Sequence, residues 1–245
     1  GNLTGLKRAI DSGAHGAWFL LAADEAFAKA NIGRSIDDSL IELEKMRELA
    51  ATADIRLGTY LIAVFGGPIG LPRGPAQVQS LVSRLTAMGI DEWILADSCG
   101  YAAPPQIRHM LEFAASHTAM HKLRVQVHDS RGMGLANIAE QIAVGSFNID
   151  TSLAGSGGHP AAPGAAVGGT CSEDVVQMLD LMGVKSGVDL SSLIDTANWL
   201  NGVLGGKEKG FTRKAGKVPG SAEELEAFRA AQSEFRWAAA DRHGR

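Results

Sequence analysis

The sequence predicts an α/β protein built as a parallel barrel of the TIM type, (β/α)8, of which these 245 residues supply roughly the last five strands. Three observations lead there. Short apolar or β-branched runs alternate with helical segments of ten or more residues, the signature of βαβ units and a parallel sheet. The runs are apolar throughout, as strands covered on both faces are. The first residues, GNLTGLKRAIDSGA, already follow a helical pattern, as though strands had preceded them. Five parallel strands do not close a barrel, which needs eight. An open doubly wound sheet is satisfied with five, but it usually carries a glycine-rich phosphate loop after its first strand. LLAADEAF at 20–27 is no such loop.

Taken in order, the strands are expected at 17–22 (AWFLLA), 57–64 (LGTYLIAV), 92–97 (EWILAD), 124–128 (RVQVH) and 147–152 (FNIDTS). Helices are expected at 35–52, 75–88, 104–117, 133–145, 172–183 and 189–204. The first of them opens at Ser35 with Asp37 and Asp38 in its first turn, where a side-chain acceptor and negative charge satisfy the exposed N–H groups. A basic, glycine-containing loop follows at 205–220, with Lys207, Lys209, Arg213, Lys214 and Lys217 against the single acid Glu208. A capping box from Ser221 to Glu224 opens a C-terminal helix within 221–245, on which Leu225, Phe228 and Phe235 share a face. The plan is therefore barrel at 1–204, loop at 205–220 and helix at 221–245.

Bulk properties narrow the function classes. Hydrophobic residues make up 45% of the chain, enough for one substantial core. The net charge of −4 supplies no basic field for nucleic acid. Apolar runs such as AWFLLAA at 17–23 fall short of a membrane span, and the first residues do not read as a signal peptide. Two cysteines, Cys99 and Cys171, give neither a disulfide framework nor a zinc spacing, which points to a reducing, cytoplasmic setting. A homo-oligomer is allowed for.

In a parallel barrel the active site forms at the C-terminal ends of the strands. Those ends carry Phe65-Gly66-Gly67-Pro68, Asp97-Ser98-Cys99-Gly100, His128-Asp129 and LAGSGGHP at 153–160. Polar residues from several strands thus converge on one rim. On position alone Asp97 reads as a strand-end carboxylate capping the loop that follows; the resemblance given below adds, with equal weight, the orienting of a substrate or a metal-bound water. Cys99 reads as structural. Cys171, beside a helix start at Ser172, stands where a thiol pKa can be lowered, though packing is the preferred reading.

NLTGLKRAIDSGA, KANIGRSIDDS, EWILADSCG, VHDSRGMGLAN, LAGSGGHPAAPGA and SEDVVQML resemble, in order and spacing, the 3-hydroxy-3-methylglutaryl-CoA lyases of the DRE-TIM metallolyase superfamily. The resemblance runs from about residue 2 to 204. It implies a TIM-barrel carbon–carbon lyase that uses a divalent cation, Mg²⁺ or Mn²⁺, and an acyl-CoA substrate. The departures are specific. The family's Arg-Asp-Gly strand, whose Asp binds the metal and whose Arg stabilises the enolate, is not found in these 245 residues. Where the family reads His-x-His-Asp, this chain reads Gln126-Val127-His128-Asp129, so the resemblance offers Gln126 and His128 as metal ligands. The family's metal-binding Asn aligns best with Gly169. Where its catalytic Cys stands in Gly-Gly-Cys-Pro, this chain has His159, in Gly157-Gly158-His159-Pro160.

Gln126 and His128 lie two apart and so face one side of a strand, but an amide oxygen is a poorer donor than imidazole for the softer divalent ions. Divalent metal is thus expected to bind this chain weakly or not at all. His159 keeps an ionisable group in the loop, and histidine titrates near neutrality. The implied reaction is retro-aldol cleavage of a short branched 3-hydroxyacyl-CoA, with His159 as proton donor and Asp97 orienting. Alternatives are a related barrel acting on a different acyl-CoA or 2-oxo acid, and a lapsed homologue that binds acyl-CoA or a partner without turnover. The basic stretch at 205–220 reads equally as a contact for CoA phosphates or as a solvated linker.

Overall fold

A computed structural model describes residues 1–67, 74–90, 92–158, 168–206 and 209–231. Five strands form one sheet in sequence order: β1 (Gly16–Ala22), β2 (Arg56–Ile62), β3 (Trp93–Asp97), β4 (Leu123–Val127) and β5 (Asn148–Asp150). Every neighbouring pair is parallel. The registers Tyr60↔Ile94↔Arg124↔Asn148 and Ala96↔Gln126↔Asp150 put these residues in two adjacent layers. The alternation of strand and helix expected from sequence is present throughout.

The connecting helices are α1 (Leu3–Asp11), α2 (Glu25–Ile32), α3 (Ile36–Thr52), α4 (Pro75–Ala87), α5 (Pro104–Ala115), α6 (Gly134–Ala143), α7 (Ser172–Leu181), α8 (Leu190–Val203), α9 (Phe211–Ala215) and α10 (Ala222–Ala231). α3 starts as its sequence requires, with Ser35 Oγ accepting the Asp38 N–H at 3.0 Å. Pro75 and Pro104 stand at first helical positions, where a missing N–H costs nothing. α2 is an addition to the sequence reading. Asp24 Oδ1 accepts the Phe27 N–H at 2.8 Å, and Gly33 closes the helix at φ 77°.

Alternation along the strands sorts residues into two faces. Phe19, Leu21, Leu61, Trp93, Leu95, Val125 and Val127 are buried with Leu40 and Leu43 of α3, Leu85 of α4, Leu111 of α5 and Ile138 of α6. Each fully buried leucine in this layer contributes about 1.5–3 kcal/mol relative to exposure. The other face carries Leu20, Tyr60, Ile62, Ala96, Gln126 and Asp150, which line a cavity.

Three strands end earlier than expected, β4 by the single residue His128 and β2 and β5 by two residues each. β2 stops at Ile62 because Ala63 turns to φ 58°, with its N–H donated to Ser98 Oγ at 3.1 Å. β5 stops at Asp150, since Ser152 pairs instead with the later segment through Ser152 N–H to Thr170 O and Ser172 N–H to Ser152 O, both 2.9 Å. The basic stretch contains the short helix α9, and beyond Ala231 the C-terminal helix, including Phe235, lies outside the described residues.

Candidate active site

At the C-terminal ends of the strands lies a cavity of about 660 Å³. The strands give it Leu20, Tyr60, Ile62, Ala96, Gln126 and Asp150, and His128 just beyond β4 joins them; Ser98, Thr151, Ser152 and the glycines 157, 158, 168 and 169 also line it. The rim inferred from sequence therefore exists, and it brings Gln126 and His128 together.

His128 directly follows β4. Its backbone N–H donates to Asp97 O at 3.3 Å, and its Nδ1 lies 3.0 Å from the same carbonyl. A carbonyl only accepts, so Nδ1 carries a proton where it meets that oxygen. The Gln126 amide lies 3.3 Å from that Nδ1, turned along its own strand toward its neighbour. The next residue has a different task. Asp129 Oδ1 accepts the Gly134 N–H at 2.8 Å, anchoring the first turn of α6.

Asp97 is 0% exposed, and both carboxylate oxygens face the loop before α5. Oδ1 accepts the Tyr101 N–H at 2.8 Å, and Oδ2 accepts the Ala102 N–H at 3.1 Å. Burial pushes its pKa up to about 6, against the pull of these N–H groups and of Arg131. Of its two readings, loop capping is the one its carboxylate geometry displays, while its carbonyl sets the His128 ring.

The segment that follows the glycine loop is strung between two strand ends. Asp129 N–H donates to Gly168 O at 3.2 Å, and Thr170 N–H to Val127 O at 3.0 Å. Two glycines make this passage feasible. A Cβ on Gly168 would fall 1.8 Å from Ser156 O, and one on Gly169 would fall 2.7 Å from Ser152 Oγ. His159 lies outside the described residues; its neighbours Gly157 and Gly158 line the cavity.

Among the described residues, the side chains at this cavity do not by themselves make a set that suits a divalent cation. No three His, Cys, Asp or Glu side chains of the described residues are grouped to hold one. Gln126 is turned to His128, and Ser152 Oγ fills the space a side chain at position 169 would need.

Both cysteines are free and buried. Burial pushes the Cys99 thiol up to about 11 and the Cys171 thiol up to about 12, the latter also raised by Asp174 and Glu173. The lowering envisaged for Cys171 at a helix start is thus overturned: desolvation and two acids outweigh the helix terminus. The basic stretch is docked on α7. Asp174 accepts the Phe211 and Thr212 N–H groups at 3.0 and 2.6 Å. Arg213 Nε lies 4.0 Å from buried Glu173, whose Oε2 accepts the Ala154 N–H at 3.1 Å.

One cluster escaped the sequence reading. Tyr60 donates its hydroxyl hydrogen bond across the barrel interior to Asp150 Oδ2. Arg124 Nη1 meets Asp150 Oδ1 at 3.3 Å, and its guanidinium lies 5.4 Å from the centre of the Trp18 ring. Polar side chains at Tyr60, Arg124 and Asp150, on the interior parity of apolar strands, were the available signal.

A parallel barrel segment with a polar cavity at its strand ends is an α/β-barrel enzyme scaffold. The family model described as HMGL-like matches residues 1–200, and the chain belongs to that family. A hydroxymethylglutaryl-CoA lyase of Bacillus subtilis is 33% identical over 204 residues, covering 83% of this chain and 68% of that protein. A mitochondrial hydroxymethylglutaryl-CoA lyase of Arabidopsis thaliana is 35% identical over 204 residues, but the chain spans only 43% of its length. An HMG-CoA lyase of Acinetobacter baumannii, solved with coenzyme A and 3-methylmalate, superposes with a TM-score of 0.85 at 30% identity, covering 90% of this chain and 72% of that one. The five strands are accordingly part of the TIM barrel of these neighbours.

Proposed function

We propose that this chain is part of a carbon–carbon lyase that cleaves a 3-hydroxy-3-methylglutaryl-CoA-like acyl-CoA by a retro-aldol reaction to acetyl-CoA and a keto acid. The observation that carries this reading is the cavity at the strand ends, flanked by His128 and the glycine loop, in a member of the HMGL-like family. In the cleavage a base takes the hydroxyl proton and the carbon–carbon bond breaks. The new carbonyl leaves on the keto acid, and the electron pair passes into a thioester enolate. His159 is the group assigned to protonate that enolate at carbon. Asp97 acts through the main chain, holding the loop before α5 and the His128 ring. Gln126 and His128 offer at most a weak pair of metal ligands, so this chain is expected to bind Mg²⁺ or Mn²⁺ weakly or not at all, and no step is assigned to the ion. The ligand partner is an acyl-CoA rather than nucleic acid or membrane, and the two free cysteines support a reducing, cytoplasmic setting.

The test is His159→Ala in the full-length protein. A general acid contributes about 10²–10⁴-fold, so turnover should fall by that factor while acyl-CoA binding holds. Retention of near-native turnover would remove His159 from the mechanism. A lapsed homologue that binds acyl-CoA without turnover is the second reading, and Gln126 in place of the family's first histidine, an amide where imidazole is the better donor, favours it.

A further inference from the structure

The glycine loop at the cavity leaves the barrel through the turn Leu153–Gly155, and one buried carboxylate ties that turn to the basic stretch. Ala154 sits at φ 57°, a left-handed conformation that a residue with a side chain keeps only when its surroundings hold it there. Glu173 supplies the hold, since its Oε2 accepts the Ala154 N–H at 3.1 Å. The other oxygen, Oε1, is buried with no hydrogen-bond partner among the described residues, and it faces Arg213 Nε at 4.0 Å. The Arg213 side chain is 8% exposed and that of Glu173 0%. Burial pushes the Glu173 carboxyl up and Arg213 pulls it down, so the guanidinium favours the charged form. Arg213 is itself braced: Nη2 donates to Lys209 O at 3.2 Å, and Nη1 to Asn198 Oδ1 at 3.4 Å. The two segments are packed closely. A Cβ on Gly210 would fall 2.6 Å from Glu173 Oε1, and one on Gly155 would fall 3.6 Å from the Lys209 Cβ.

We propose that Arg213, acting through Glu173, is a positioning residue for the glycine loop, with 209–215 as the strap that holds the loop's first leg at the cavity. That the loop delivers a proton rests on the acyl-CoA reading above; that the strap holds it does not. Cys171 reports on the hold. Its Sγ lies under the first leg, 2.6 Å from where a Gly155 Cβ would stand, whereas Cys99 packs against Gly67.

The experiment follows the reaction of both thiols with a disulfide reagent at pH 8 in the unaltered chain, Arg213→Ala and Arg213→Lys, with peptide mass mapping to separate the two sites. Unpairing a buried carboxylate is worth about tenfold or more in a local opening equilibrium. Arg213→Ala should therefore speed Cys171 by at least that factor and leave Cys99 unchanged, and Arg213→Lys, which keeps the charge, should restore most of the protection. Loss of a cation does not make a thiol more acidic, so a faster reaction reports access. Equal acceleration of both thiols would mark Arg213 as a general structural contact and overturn the proposal, as would an unchanged Cys171. Should Arg213→Ala fail to fold, the unaltered chain in low urea decides: Cys171 should open with a shallower urea dependence than Cys99, and equal slopes would overturn the strap. In the full-length protein acting on 3-hydroxy-3-methylglutaryl-CoA, Arg213→Ala should lower kcat and leave KM nearly unchanged; an unchanged kcat would overturn the positioning role. Absence of turnover in the unaltered protein would overturn the acyl-CoA reading instead, and the thiol rates alone would then judge the strap.

Discussion

Replacing Asp97 by Asn should change the pH dependence of stability more than it changes stability at neutral pH. Asp97 is wholly buried, and its pKa stands at about 6 against an ordinary 3.8. At about 1.36 kcal/mol per pH unit that rise amounts to about 3 kcal/mol. The folded chain holds this proton more tightly than the unfolded one, so it carries more protons between pH 3.8 and about 6. Stability from this group is therefore fully present below that window and is lost as the pH rises through it. Asn cannot ionise, but only its oxygen can accept, so one of the two N–H groups, Tyr101 or Ala102, loses its acceptor at about 1–3 kcal/mol. Urea unfolding of both proteins at pH 4 and pH 7 isolates the effect, because the other titrating groups are common to both. The stability advantage of the unaltered chain over Asp97→Asn should shrink by about 2 kcal/mol from the lower to the higher pH, since pH 4 already lies just inside the window. A difference constant to within about 0.5 kcal/mol would show that burial does not raise this carboxyl.

Three further outcomes follow from the same geometry. Cys99 and Cys171, buried with thiols pushed up to about 11 and 12, should resist a disulfide reagent at pH 8 in the folded chain and react once it is unfolded; prompt reaction in the native state would refute their burial. Gly168→Ala places a methyl 1.8 Å from Ser156 O and should cost about 3 kcal/mol or more, the upper end of overpacking, measured by thermal unfolding; a neutral result would mean that the cavity wall is not held as described. Leu95→Ala, on the helix-facing side of β3, should cost about 2–5 kcal/mol by urea unfolding, and a loss below about 1 kcal/mol would contradict the division of strand faces.

Most of the barrel segment was legible because its physics is local. Alternating apolar runs and capped helices predict parallel strands in sequence order, and β1 to β5 are that. The misplaced ends are non-local in cause. β2 ends because Ala63 finds the hydroxyl of Ser98, 35 residues away, and β5 ends because Ser152 pairs with Thr170. Neither partner is visible in the run of residues itself. At the site, strand ends were enough to place Gln126 and His128 on one cavity. The turn of the Asp97 carboxylate into its own loop depends on two backbone N–H groups, which no residue pattern specifies. The Tyr60–Asp150–Arg124 cluster joins three strands across the barrel, and only the register brings it together.

The central claim is cleavage of an acyl-CoA at this cavity, and the most direct measurement is product analysis. The full-length protein carrying this sequence should be incubated with 3-hydroxy-3-methylglutaryl-CoA and its products identified by mass spectrometry. Acetyl-CoA and a keto acid appearing together in equal amounts is the predicted result. Bound but uncleaved ester, with no acetyl-CoA released, would contradict the account and mark the protein as a lapsed homologue.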